Sequence, residues 1–368
     1  MEFLPTTLGT RPRLAVEVRA EGVVAARAED AAALMTAVMR ADLAVGAVVP
    51  GLRGGNVLDR VGVVGAIRRV LDSVGAGERS RDVTLVVPDA AVRVLLLDFD
   101  QLPSKMTEAL PVVRFRLKKL LPFDADDAVV SYQVMSSGKG GVRVVAVAMP
   151  RDVLGEYEGV VTEAGYLPGA VLPSTLAALA GLDEAEVPAL VVNAGPGAVT
   201  TAIVRAGILL LHRSVDMSGD VSGDRGGSEI LAGALPLVDR ESSAEEWARQ
   251  EALGPGGYDR LDAETAMQTS VVESAGVREV EESILARDVA QAVSVAAAYF
   301  EDTLQVAPES VLAAGTLGAE TLATMMRESG LEGLRVREMV DAGMLQAGAV
   351  TATIPRGWLA GVRGALKN

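Results

Sequence analysis

Leu102-Pro-Ser-Lys-Met-Thr-Glu-Ala-Leu110, then Leu120-Leu-Pro-Phe-Asp124, Val129-Val-Ser-Tyr-Gln-Val134 and Val145-Ala-Val-Ala-Met-Pro-Arg151, is the stretch on which the reading of this chain turns. Met106, Leu110, Val113, Leu117 and Leu120 recur at helical spacing and predict an apolar stripe. Ser104 precedes them with Glu108 four residues on, one more than an ideal capping box. Pro111 lies inside the stripe and predicts a kink or a late start, because it has no N–H to give the helix. Leu121-Pro-Phe123 ends the helix. Val92–Phe99 before it reads as a strand, as do Val129–Val134 and Val142–Met149 after it, the last two joined by a flexible turn over Ser136–Gly141. Arg151–Gly165 reads as a second helix. The result is a β-α-β-β-α packet over residues 89–167 with a small core of its own.

On either side of this packet the chain alternates strands and helices, the pattern of α/β layers. Upstream, Arg13–Val18 and Gly22–Arg27 form a predicted hairpin around Ala20-Glu21. Asp30–Met39 is expected to be helical, Ala41–Gly55 a glycine-rich loop, and Val57–Ser73 a helix closed by Gly75-Ala-Gly77. Val83–Val87 is a strand stopped by Pro88-Asp89. Downstream, three strands are expected at Ala189–Asn193, Val199–Arg205 and Ile208–Ser214, joined by Gly195-Pro-Gly197 and Ala206-Gly207. A helix at Ile284–Thr303, a strand at Ser310–Ala314, a turn at Gly315–Gly318 and a helix at Glu320–Ser329 follow. Trp358–Leu366 is expected to be a terminal helix that packs back on the body.

Composition narrows the function. The 368 residues contain no cysteine, which excludes thiol nucleophiles, disulfides and cysteine-based zinc sites. The one histidine, His212, closes the strand Ile208–Leu211 and reads as structural. A net charge of -15 argues against nucleic acid as a partner. Seventeen acidic residues against six arginines fall between Asp216 and Asp288, so most of the acidity sits in one segment, read as a solvated excursion or an acidic docking surface. No apolar run reaches the roughly 18–20 residues of a membrane helix, and no secretory signal is read at the start. The expected location is the cytoplasm.

The packet at 102–151 resembles the signature region of the PilM family of type IV pilus assembly proteins: a Leu-Pro segment opens a helix, Pro-Phe closes it, a Ser-Tyr-Gln strand follows, and a later strand ends in Pro-Arg. The flanking hairpins with glycine turns resemble those of the wider actin and hexokinase superfamily. The resemblance implies a two-lobed, actin-like (ribonuclease H-like) α/β fold with a small inserted subdomain placed as in FtsA. The first lobe would comprise 1–88 and 168–187, the subdomain 89–167, and the second lobe 188–368 with an acidic insertion at 216–288. It also implies a protein on the cytoplasmic face of the inner membrane, held there by partners. Those partners would be the N-terminal cytoplasmic peptide of a PilN-like protein, with other inner-membrane pilus proteins and the assembly ATPases beyond it.

The superfamily grips Mg-ATP between two hairpins that carry an Asp, glycines and hydroxyls. At the matching positions this chain has Glu17-Val-Arg-Ala-Glu-Gly22 and Asn193-Ala-Gly-Pro-Gly-Ala-Val-Thr200, with Ala313-Ala-Gly-Thr-Leu-Gly318 at the adenosine turn. The resemblance therefore assigns Glu17, Gly22, Asn193, Gly195, Gly197, Thr200, Gly315 and Thr316 to the nucleotide position. Glu17 and Asn193 replace the two Asp, Pro196 removes an N–H donor, and few hydroxyls remain. Arg19 reads as a strand-edge surface arginine, with phosphate contact as the alternative. Such losses of charge-assisted contacts imply a scaffold with a degenerate site and not an enzyme. An active actin-like ATPase or sugar-kinase relative is the first alternative. The second is an FtsA-like filament protein, ranked last because such proteins usually end in an amphipathic membrane helix and Trp358–Lys367 is short with one aromatic anchor. Arg114, Arg116, Lys118 and Lys119 form a basic cluster, read as a solvated face, a partner-binding face or a contact for anionic headgroups.

Overall fold

The computed structural model describes residues 11–138, 140–182, 187–217, 285–331, 333–349 and 354–367. Most of the acidic segment, 218–284, lies outside the described residues.

Two five-stranded sheets share one plan. In the first lobe β1 (Leu14–Val18), β2 (Gly22–Ala28) and β3 (Met35–Asp42) form an antiparallel meander. Strands β4 (Asp82–Val87) and β8 (Leu167–Pro173) add in parallel on the other side of β1, giving the order β3-β2-β1-β4-β8. The second lobe repeats this with β9 (Ala189–Gly195), β10 (Ala198–Arg205), β11 (Ile208–Asp216), β12 (Ser310–Gly315) and β13 (Arg335–Glu338) in the order β11-β10-β9-β12-β13. The expected helix over Asp30–Met39 is not formed. Its second half is β3, because the free edge of β2 offers a full ladder from Gly22–Asp42 to Ala28–Met35, and that pairing outweighs local helix propensity.

Each sheet is covered on both faces, so its central strands are buried along their length instead of alternating, and the polar Glu17 and Asn193 are buried with them. In β1, Leu14, Val16 and Val18 point to α1 (Arg60–Val74) and α3 (Arg151–Glu163), in the core that holds Ile67, Leu71, Tyr157 and Val160. Its alternate residues Ala15 and Glu17 point to the opposite face. There α4 (Ser174–Ala180) and α7 (Ala360–Leu366) lie together in a core that draws residues from both lobes, among them Ala15, Val24, Val191 and Ala314. Gly364 makes this crossing close: a Cβ there would stand 1.7 Å from the Ala177 carbonyl oxygen. In the second lobe, α5 (residues 285–304) and α6 (Gly318–Glu328) close a third core around Leu190, Val293, Phe300 and Leu322.

The inserted packet forms an antiparallel sheet β5-β7-β6 from β5 (Arg93–Phe99), β6 (Ala128–Gly138) and β7 (Gly141–Pro150). Helix α2 (Met106–Leu117) seals one side of it through Ala109, Val113 and Leu117. The apolar stripe thus runs through Ala109 instead of Met106, which is exposed, and the helix holds Pro111 at its sixth residue. Helix α3 follows this packet in sequence but buries its apolar face in the first lobe.

Candidate functional site

The equivalent turns of the two lobes, β1–β2 and β9–β10, meet where α4 begins. Glu17 leaves β1 on the face toward α7 and is fully buried. Its Oε1 lies 2.6 Å from the Arg19 guanidinium and accepts a hydrogen bond from Ser174 Oγ at 2.7 Å. Arg19 is not on the surface: it is about one-tenth exposed, and it donates to Ser174 Oγ at 2.9 Å and to Asn193 Oδ1 at 3.4 Å across the lobes. Alternation explains the difference: Arg19 stands two residues past Glu17 and takes the same buried face, while its N–H closes the turn onto the Gly22 carbonyl at 2.9 Å.

Asn193 completes the bridge from the second lobe. Its Nδ2 donates to Ser174 Oγ and Thr175 Oγ1, each at 2.9 Å, and to Asp89 Oδ2 at 3.3 Å. Asp89 in turn holds Thr175 through its backbone N–H at 3.1 Å and its hydroxyl at 2.5 Å. Proline sets up both partners: Pro88 and Pro173 hold extended backbone ahead of Asp89 and Ser174, so the chain turns where the two hairpins meet and delivers their side chains there. Residues 89, 174 and 175 were not singled out by sequence reasoning. The Pro-Asp and Pro-Ser-Thr steps were the available signal.

A second bridge closes the outer side. Thr316 Oγ1 donates to Glu21 Oε1 at 2.7 Å, joining the β12–α6 turn to the β1–β2 turn. Gly195 gives way to this contact, since a Cβ there would stand 2.9 Å from Thr316 Oγ1 and 3.1 Å from Glu21 Oε1. Gly315, at φ +90°, lets the two turns of the second lobe touch: a Cβ would come within 2.3 Å of the Ala194 carbonyl oxygen and 2.7 Å of Asn193 Oδ1. Glu17, Asn193, Gly195, Gly315 and Thr316 are therefore gathered at one place. The other assigned residues have different surroundings. Gly22 accommodates the Ala41 carbonyl and Trp358, Gly197 faces open space, and Thr200 bonds to Ser214 on β11.

The network holds two carboxylates, Glu17 and Asp89, and one guanidinium. Burial pushes the Glu17 carboxyl above its usual range, against the lowering pull of Arg19 and Ser174. Its second oxygen has no hydrogen-bond partner and faces Gly361 of α7. His212 on β11 is held below the ordinary histidine range by desolvation, with the Asp89 charge opposing that, which fits a structural neutral ring. Among the described residues no cluster of three or more acidic or histidine side chains is arranged to hold a metal.

The basic cluster lies elsewhere, on α2. Arg114 donates to the carbonyls of Ala125 and Ala128, and Lys118 pairs with Asp126 at 2.5 Å. Arg116 and Lys119 project outward and have no acidic partner among the described residues.

No protein-family model matches the chain, and no curated protein does. Among solved structures, the PilM-PilN type IV pilus biogenesis complex matches with a TM-score of 0.67 at 17% identity, over 96% of this chain and 98% of that one. The chain has an actin-like fold of the PilM kind. At that identity the likeness is one of fold. The EutJ ethanolamine utilization protein of Carboxydothermus hydrogenoformans follows at TM-score 0.42 and 11% identity, over 96% of this chain and 89% of that one. The cytoplasmic domain of EpsL, from the type II secretion system of Vibrio cholerae, gives 0.36 and 15%, over 58% and 77%. Among the described residues no helix is long and apolar enough to cross a membrane.

Proposed function

We propose that this protein is a PilM-like scaffold of a type IV pilus assembly complex, and that its actin-like cleft is a built-in clasp in place of a nucleotide site. The scaffold works on the cytoplasmic side of the inner membrane and recruits the cytoplasmic peptide of a PilN-like protein. The pilus assignment draws on the match with the PilM-PilN complex along nearly the whole chain.

The observation that carries the scaffold reading is the Arg19 bridge. Its guanidinium lies between Glu17, Ser174 and Asn193, within the space where the two turns would approach phosphates. A triphosphate entering there meets Arg19, already paired with the buried Glu17, and the carboxylate of Glu21. Both residues are already committed to contacts that hold the cleft together. The residues present do not fit Mg-ATP, so no catalytic step is assigned to them.

The test has two arms on the full chain. A ligand at one hundred times its Kd stabilises a fold by about 2.7 kcal/mol, a rise of several degrees in melting temperature. Millimolar Mg-ATP is expected to leave the melting temperature unchanged, and a rise of about 3 °C or more would overturn the clasp reading. Titration with the N-terminal cytoplasmic peptide of a PilN-like protein is expected to saturate, and no binding at high micromolar peptide would overturn the scaffold assignment.

A further inference from the structure

The outward face of α2 has no use in the clasp or the core. Helix α2 is apolar on two sides. Ala109, Val113 and Leu117 face the small sheet, while Pro111, Val112 and Phe115 crest the opposite side. Phe115 is 67% exposed and Val112 38%. A crest of this kind needs a reason, because a phenylalanine left in water forgoes the stabilisation that burial gives it. Arg116 and Lys119, three positions apart, stand together along one side of the crest, and Lys119 lies 6.0 Å from the Phe115 ring. Lys105 and Lys118 also flank it but are engaged by Glu108 and Asp126.

We infer that this face of α2 docks on an anionic lipid bilayer, with Phe115 and Val112 entering the headgroup–acyl boundary and Arg116 and Lys119 meeting lipid phosphates. Three arguments select that occupant. A bilayer interface stacks anionic groups directly over apolar ones, the layering that an apolar crest with cations along its side fits. A second copy packed crest on crest would bring four cations, Arg116 and Lys119 of each copy, to the rim of one seam. The charge of the face is also opposite to that of a protein whose net charge is -15. Such a protein is repelled by an anionic surface at long range, so a local basic contact also fixes which side turns toward the membrane. The contact is shallow: the crest from Pro111 to Phe115 is less than two helical turns long, so it orients a protein that partners also hold.

The experiment is co-sedimentation of the full chain with vesicles of phosphatidylglycerol and phosphatidylcholine, beside vesicles of phosphatidylcholine alone. The buffer holds about 0.1 M salt, where the Debye length is about 10 Å and the distant acidic charge is screened. Binding to the mixed vesicles and not to the neutral ones is expected. With each surface cation contributing about fivefold, Arg116→Gln with Lys119→Gln should lower the partition coefficient roughly 25-fold. Phe115→Ser should lower it on the order of fivefold. These side chains are exposed, so an unchanged melting temperature certifies the fold of each variant. The inference is overturned by absence of binding to the mixed vesicles, by binding that these substitutions leave intact, or by a dimer in sedimentation that Phe115→Ser dissociates. No PilN-like peptide is present, so the outcome is independent of the pilus assignment.

Discussion

The β1–β2 and β9–β10 hairpins hold the same place in two sheets of the same order, yet they meet the cleft with opposite chemistry. The first turn sends in charged side chains: Glu17, Arg19 and Glu21 all reach toward the second lobe or its contacts. The second turn, with Ala194, Gly195 and Gly197 around Pro196, offers little side chain, and its neighbour Gly315 presses backbone to backbone on Ala194. One lobe supplies charged projections; the other supplies room and two neutral arms, Asn193 and Thr316. A symmetric pair of polar glycine turns would leave a gap for a ligand, whereas this asymmetric pair closes on itself.

Removing the central projection should have the largest effect. Arg19→Met leaves Glu17 buried without its cation, and about 3–5 kcal/mol of stability should be lost in chemical denaturation. Adding Glu17→Gln should return most of that loss, since the cost is an uncompensated charge. If the double variant is as unstable as the single one, the bridge is packing and the comparison fails.

Removing the room should cost less. Gly315→Ala places a Cβ against the Ala194 backbone at a positive φ, and a loss of about 1–3 kcal/mol is expected by the same measurement. Gly197→Ala, at a turn position with open space around it, should cost well under 1 kcal/mol. Equal losses at the two glycines would show that close approach is not what the second turn provides. Among the contacts that hold the lobes together, the outer bridge should matter least. Thr316→Val should cost about 1 kcal/mol, one hydrogen bond at a half-buried carboxylate.

The elements built on local pattern were readable from the chain: the two hairpins, the packet with its helix, and the glycine turn at 315–318 all stand where their residues place them. What escaped was set by distant neighbours. Asp30–Met39 is rich in alanine and favours a helix in isolation, but β2 presents an unpaired edge beside it. Arg335–Glu338 alternates charge and valine too briefly to announce a strand, and becomes one only beside β12. The site was half visible. Glu17, Asn193 and Gly315 sit on turns that a pattern can find, while Arg19 carries no local sign of the buried partners that await it. Asp89, Ser174 and Thr175 join them from far along the chain, and only the fold brings them to one point.

The glycine-lined crossing of α7 bears on how the molecule can be assembled. Arg363 bonds to the carbonyl of Ala32 from 331 positions downstream, and Gly361 lies over the buried oxygen of Glu17. The inner face of the first sheet thus stays open until a segment synthesised much later arrives to cover it. Contacts of such span are slow to form and leave apolar strand surface open meanwhile. Refolding should then be limited by the docking of residues 360–366, and a chain cut ahead of them should expose both lobes to aggregation instead of merely fraying at one end.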